Sequence, residues 1–256
     1  MKPVGILGGM GPQATVLLMQ KVIAATPARD DADHIPLIVD QNPQVPSRIR
    51  HLIEGSGEDP GPVLATMAHK LQAAGALALA MPCNTAHHYA SAIRAAVTVP
   101  LIDMVALSVA HALTLAGSGG TVGILASPAV RRIGLFDRAF ADAGLTAVYA
   151  PDEEAMLATI RLIKSQGATN EARATLAAAS SDLLARGARV QMIACTEFSL
   201  IAGDVDPGAR AFDSLDQLVG GILDFATMRG TDKAEEQPLP KGAKAPSTHP
   251  SKETTS

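Results

Sequence analysis

The chain has 256 residues, 47% of them hydrophobic and 18% charged, with a formal net charge of -4 at pH 7. This composition is typical of a globular protein with enough apolar material for one or two cores. The acidic balance and 3% aromatic content argue against a nucleic-acid partner. No apolar run approaches the ~18 residues of a membrane span, and glycines and prolines interrupt the first apolar run, so neither a membrane partner nor a secretory signal is expected.

Short apolar runs alternate with longer segments of helical spacing along the chain. Spacing such as Met156, Ile160 and Ile163 predicts amphipathic helices between the runs. This alternation predicts an α/β fold with mainly parallel sheets, whose strands are buried on both faces. The runs predicted as strands are residues 4–7, 36–39, 76–81, 101–102, 122–125, 145–149 and 190–194.

A weak internal repeat indicates two halves. VGILGG at 4–9 recurs as VGILAS at 122–127, and the AMPCNT around Cys83 recurs as IACTEF around Cys195 at a similar spacing. Ligands of such sheets bind beyond the carboxyl ends of the strands, so the turns after the strands and both cysteines should face one cleft. We therefore predict two pseudo-symmetric α/β lobes, each a mainly parallel sheet flanked by helices, with the active site between them.

The predicted boundaries follow from that repeat and from a change in composition. The first lobe comprises residues 1–102 plus 206–230, and the second comprises residues 103–205. Residues 231–256 contain too few large apolar side chains to offset the entropy of ordering, so they are predicted to form a disordered C-terminal tail.

Cys83 and Cys195 are the only cysteines. With no membrane span or secretory signal expected, the chain is predicted to be cytoplasmic, where its two thiols should stay reduced and be either inert or catalytic. Each follows an apolar run at the start of a predicted helix, whose positive end would lower the pKa of the thiol. Buried inert thiols are the ordinary alternative, but the matching contexts favour a reactive pair. Polar side chains beside them could cap a helix or hold a substrate carboxylate: Asn84, Thr85, Thr196 and Glu197.

Two other motifs invite functional interpretations that the sequence does not support. Cys83 and His87 lie one helical turn apart, which could indicate metal ligands or a nucleophile pair, but no four-ligand set is visible and a polar helix histidine is favoured. The turn at 8–11 satisfies neither GxGxxG nor a phosphate-binding loop with its lysine. It is better suited to letting backbone N–H groups approach a small carboxylate.

Five segments together resemble the cofactor-independent aspartate/glutamate/hydantoin racemases, most closely the aspartate racemases and related broad-specificity amino-acid racemases. The resemblance covers roughly residues 3–230. The segments are GILGGMGPQAT at 5–15, DHIPLIVDQNPQVPSR at 33–48, AMPCNTAHHYASAI at 80–93, IKSQG at 163–167 and ACTEFSLI at 194–201.

The resemblance implies a cytoplasmic isomerase, commonly a homodimer, that acts on a small amino acid such as aspartate or glutamate without a cofactor or a metal. The two cysteines would lie on opposite faces of the substrate α-carbon, one removing a proton and the other returning one. Arg48 matches an arginine associated with the distal carboxylate, and Lys164 matches a lysine facing the cleft. The ordinary alternative for Arg48 is a solvated surface arginine. The alternative for Lys164 is a favourable contact with the carboxyl end of its own helix, which Gly167 marks. Other expected substrate contacts are Met10, Asn84, Thr85, Ser127 and Thr196.

The sequence also departs from the family pattern. Phe198 and Ser199 stand where Leu-Pro is common, and Val130 and Ile133 stand where further hydroxyl residues are common, so the preferred amino acid stays open. Two alternative functions stay open as well. One is a cysteine-dependent isomerase or decarboxylase of small dicarboxylates, and the other is a non-catalytic amino-acid-binding protein.

Overall fold

The computed structural model describes residues 1–228, and the predicted tail at 231–256 lies outside the described residues. The predicted α/β fold with two parallel sheets is confirmed. The first sheet has the order β2-β1-β3 and the second has the order β5-β4-β6-β7, and every pair is parallel. The strands are β1 (Val4–Gly8), β2 (Leu37–Gln41), β3 (Ala78–Ala80), β4 (Thr121–Leu125), β5 (Thr146–Tyr149), β6 (Val190–Ile193) and β7 (Arg210–Asp213).

Helices cover both faces of each sheet. They are α1 (Pro12–Ala25), α2 (Gly61–Ala73), α3 (Ala90–Ala96), α4 (Met104–Ala116), α5 (Pro128–Arg132), α6 (Asp137–Asp142), α7 (Glu153–Gln166), α8 (Asn170–Ala185) and α9 (Ser214–Thr227). Short 3-10 turns occupy Asp31–Asp33, Thr85–Tyr89 and Phe198–Asp204, and a π-helical turn occupies Arg50–Glu54. Within residues 1–228, no helix is long and apolar enough to cross a membrane.

The repeated VGIL sequence forms the equivalent strands of the two sheets. β1 lies between β2 and β3, as β4 lies between β5 and β6. Both VGIL segments need glycine at their second position because a neighbouring side chain packs against the backbone there. A Cβ at Gly5 would lie 2.8 Å from Leu79, and a Cβ at Gly123 would lie 3.0 Å from Leu183. The repeat therefore marks one packing solution used twice.

The predicted return of the chain to the first lobe at residue 206 is not what the sheet topology shows. β7 pairs with β6, so residues 210–213 belong to the second sheet. The next helix, α9, packs on the first lobe, where Leu215 is buried in one cluster with Ile6. We therefore propose a revised division in which the chain re-enters the first lobe after Asp213. The strand predicted at 101–102 is only a single bridge from Leu101 to β3.

Candidate active site

A cleft of about 440 Å³ lies at the carboxyl ends of the strands of both sheets. The turns after β1, β3, β4 and β6, the segment after β2, and helix α7 form its walls. This follows from parallel pairing, which brings the carboxyl ends of all strands in a sheet to one edge. The lining includes these residues expected from the sequence: Met10, Arg48, Cys83, Thr85, Ser127, Lys164 and Cys195.

The two thiols occupy equivalent positions in the two lobes. Cys83 follows the end of β3 and Cys195 follows the end of β6, and both strands lie beside the central VGIL strand of their sheet. Both cysteines are free, line the cleft, and are only 7% and 6% exposed. A 3-10 turn, rather than an α-helix, follows each cysteine. The α-helix expected directly after each cysteine is therefore absent.

The Cys195 thiol faces a carboxylate. Its Sγ donates a hydrogen bond to Oε2 of Glu197 at 3.1 Å. Burial raises the pKa of Cys195 well above its usual value, and the negative charge of Glu197 raises it further, while Lys164 acts in the opposite direction. The expectation of a lowered pKa is thus wrong for this thiol. At neutral pH Cys195 therefore holds its proton.

Lys164 projects from α7 and forms an ion pair with Glu197. Burial lowers the pKa of this lysine, but the charge and hydrogen bond of Glu197 outweigh burial, so the pKa is raised overall. The lysine therefore stays charged at the cleft wall. Its ammonium group is engaged by the Glu197 carboxylate, so the rival interpretation of a simple contact with the end of its own helix does not account for its position.

Arg48 has a different setting, without an acidic partner in residues 1–228. Its Nη1 donates to the carbonyl oxygens of Val45 at 3.3 Å and Pro46 at 3.0 Å, which fixes the guanidinium at the cleft wall. The buried Nε has no hydrogen-bond partner among the described residues. A half-buried cation held by neutral carbonyls is available for a carboxylate ligand.

The turns after the two central strands supply neutral polar groups. Gly9 has φ +94°, and a Cβ there would lie 2.4 Å from the backbone of Asn42, so only glycine fits where this turn passes the segment after β2. Met10, the next residue, lines the cleft. In the second lobe, Ser127 Oγ accepts from Ala129 N–H at 3.2 Å and caps α5. The serine hydroxyl proton remains available to a ligand.

Two predicted substrate contacts do not line the cleft. Asn84 is 2% exposed, and its Nδ2 donates to Ser214 Oγ at 2.9 Å instead. Thr196 is likewise 2% exposed and does not line the cleft. Val130, which stood at a departure from the family pattern, is buried in the core of the second lobe and does not line the cleft either.

Comparison with known families identifies the class of enzyme. The Asp/Glu/Hydantoin racemase family profile matches residues 7–220, which include all of the cleft-lining residues described above. The chain belongs to the Asp/Glu/hydantoin racemase family. Its enzyme class is therefore that of an isomerase, an amino-acid racemase.

Solved structures of similar fold agree with this membership. An aspartate racemase from Picrophilus torridus matches this racemase with a TM-score of 0.77 and 27% identity, over 90% of this chain and 96% of that chain. An aspartate racemase homologue from Pyrococcus horikoshii has a TM-score of 0.68 and 21% identity, over 89% and 100%. A glutamate racemase from Francisella tularensis, in complex with D-glutamate, has a TM-score of 0.62 and 15% identity, over 88% and 80%. The last two likenesses support the fold alone.

In the racemase, His87 supports the turn of the first thiol. Its Nδ1 lies 2.9 Å from the carbonyl oxygen of Cys83, and the imidazole is buried. Burial lowers the pKa of His87, so the ring is neutral at physiological pH and donates from Nδ1. A hydrogen bond to the backbone of the cysteine differs from both the metal ligand and the nucleophile partner that the spacing of the two residues suggested.

The cleft of the racemase also has a charged rim that the sequence analysis missed. Arg161 of α7 pairs with Glu54 of the π-helical turn at 3.1 Å, and Arg132 donates to the carbonyl oxygen of Ile53 at 2.8 Å. These contacts join the lobes across the cleft. Arg50 lines the cleft beside them. No motif or periodic pattern marks these residues, because a π-helical turn has no sequence signature of its own.

Proposed function

We propose that this racemase interconverts the enantiomers of aspartate or glutamate without a cofactor, with Cys83 and Cys195 as its acid and base. The observation that carries the proposal is the pair of free thiols beyond equivalent strands of the two lobes, both in the wall of one cleft. Inversion requires one group to remove the α-proton from one face and another to deliver a proton to the opposite face. The likeness to an aspartate racemase at 27% identity supports an acidic substrate.

The chemistry needs one thiolate and one thiol at the start of each turnover. In one direction, the Cys83 thiolate takes the α-proton, and the electron pair of the C–H bond stays on the α-carbon and the adjoining carboxylate. The Cys195 S–H bond then breaks and its proton goes to the opposite face of the same carbon. The raised pKa of Cys195 keeps this thiol protonated until the transfer, which is the state that this direction requires. In the reverse direction the two cysteines exchange roles.

The charge distribution of the cleft supports an anionic substrate. Glu54 and Glu197 are each paired with a cation, whereas Arg48 has no acidic partner in residues 1–228. We assign the distal carboxylate to Arg48. The α-carboxylate would lie near Thr85 and Ser127, whose hydroxyl groups can donate to the charge that develops as the α-proton leaves.

The decisive experiment incubates the purified protein with single enantiomers of aspartate, glutamate and alanine in deuterated water. Optical inversion and α-deuteration should both occur with an acidic amino acid and be weak with alanine. Carbon dioxide release or isomerisation of an unsaturated dicarboxylate would instead support the related cysteine enzymes. Binding of the acidic amino acids without any α-deuteration would support a binding protein and refute the proposal.

We further propose that the protein acts as a homodimer in the cytoplasm. Helix α1 presents Val16 and Ile23, which are 47% and 54% exposed, on one outer face. Burial of this face against a second copy would remove apolar surface from water. Two free thiols suit a reducing compartment. Light scattering after size-exclusion chromatography should give twice the chain mass of 26.3 kDa, and Ile23→Glu should reduce it to the monomer mass.

A further inference from the structure

The two residues Asp213 and Ser214 form the passage from the second lobe back to the first. Asp213 ends β7 and Ser214 begins α9. Both are deeply buried, at 4% and 0% exposure, although both are polar. Buried polar side chains are costly unless they form hydrogen bonds, so their partners indicate what they do.

Asp213 is bonded to the turn that carries Cys195. Ser199 Oγ donates to Asp213 Oδ1 at 2.9 Å, and the backbone N–H of Ser199 donates to the carbonyl oxygen of Cys195 at 3.2 Å. The same Oδ1 accepts from Leu215 N–H at 2.8 Å, which caps α9. One carboxylate oxygen therefore joins the cysteine turn of the second lobe to a helix of the first.

Ser214 is bonded to the turn that carries the other thiol. Its Oγ accepts from Nδ2 of Asn84 at 2.9 Å, and Asn84 is the residue directly after Cys83. The Asn84 side chain is 2% exposed and lies outside the cleft lining. Its amide is thus used to anchor the turn, in place of the substrate contact expected from the sequence.

We infer that Asp213 and Ser214 are positioning residues that fix the separation of the two thiols, an inference that rests on the proposed two-base function. One peptide bond joins them, so the anchors of the two cysteine turns cannot move apart without breaking a buried hydrogen bond. Two bases must reach opposite faces of the same carbon, and a misplacement of about 1 Å can cost ~10²-fold in rate. The pair acts through the turns and does not touch the substrate.

Thiol alkylation tests this inference without any substrate. Iodoacetamide should be applied to Ser199→Ala and Ser214→Ala, and the modification of each cysteine followed by peptide mass spectrometry. We expect Ser199→Ala to speed alkylation of Cys195 severalfold and leave Cys83 unchanged, and Ser214→Ala to do the reverse. Ser108→Ala removes a buried hydroxyl whose bond stays within α4, so it should alter neither rate. Equal changes at both thiols, or no change at either, would overturn the inference.

The kinetics of Asp213 variants give a second readout. Asp213→Asn keeps an oxygen that can accept from Ser199 and Leu215, so its kcat should stay near that of wild type. Asp213→Ala loses the acceptor and should lower kcat about tenfold or more while KM changes little. Equal kcat for the two variants would contradict the inference. If the two serine variants change alkylation selectively but the wild type never racemises an amino acid, the proposed function fails and the anchoring of the turns still stands.

Discussion

The buried carboxyl of Asp213 gives a stability prediction with a definite sign. Burial raises the pKa of Asp213 from 3.8 to about 6, against the opposing hydrogen bonds from Leu215 and Ser199. The folded state holds this proton more tightly than the unfolded state does. The contribution of the protonated carboxyl to the free energy of unfolding is therefore complete below pH ~4 and is lost as the pH rises through 6. A pKa change of this size corresponds to ~3 kcal/mol. The ionised carboxylate should therefore cost that much at pH 8.

Asp213→Asn removes the charge and keeps a good helix cap. Urea unfolding of wild type and variant should be compared between pH 4 and pH 8. The free energies of unfolding should nearly coincide at pH 4, and the variant should be more stable by ~3 kcal/mol at pH 8. Asp216 and Lys21, whose charges also act on this carboxyl, are present in both proteins. A constant difference between the two curves would refute the reasoning.

Three further predictions concern the cleft. Cys83→Ala and Cys195→Ala should each lower the rate of racemisation by ~10²–10⁴-fold with an unchanged melting temperature. Each variant should still exchange the α-proton of one enantiomer with solvent, and full racemisation by either variant would exclude a two-base pair. Arg48→Ala should raise KM for aspartate by a factor equivalent to ~1.5–3 kcal/mol and leave KM for alanine unchanged, and Lys164→Ala should act similarly. If both variants keep wild-type kinetics on all acidic substrates, the two residues are surface charges without a role in substrate binding. Glu197→Gln should shift the pH dependence of Cys195 alkylation to lower pH, because it removes the charge that helps raise this pKa; an unmoved profile would show that burial alone sets it.

Much of the fold follows from strands that are buried on both faces. The VGIL runs at 4–7 and 122–125 are continuous apolar segments because helices cover both sides of β1 and β4, and such runs are easy to read. β7 has the sequence RAFD and pairs only with β6, at the edge of the sheet. An edge strand with charged ends has no apolar run, which is why the lobe boundary was predicted too early.

The site was predictable down to the turns but not to the side-chain directions. Strand-end position alone brings each cysteine to the carboxyl edge of its own sheet, whatever its rotamer. Asn84 and Thr85 are neighbours in the same 3-10 region, yet one is turned to Ser214 and the other lines the cleft. That choice depends on a residue of α9 far along the chain. The carboxylate partner of Cys195 likewise depends on how its turn closes, which no residue pattern specifies.

The packing of α9 has a consequence for biosynthesis. Leu215 and Ile222 of this helix cover Ile6 and Leu18 of the first lobe, and the part of the chain between them includes the whole second lobe, residues 104–213. At translation rates of about 5–20 residues per second, the ribosome needs roughly 5–20 s to make that intervening part. The second lobe is therefore fully synthesised while β1 and the inner face of α1 still lack their cover. During those seconds the nascent chain presents an apolar surface on which a holdase chaperone would act.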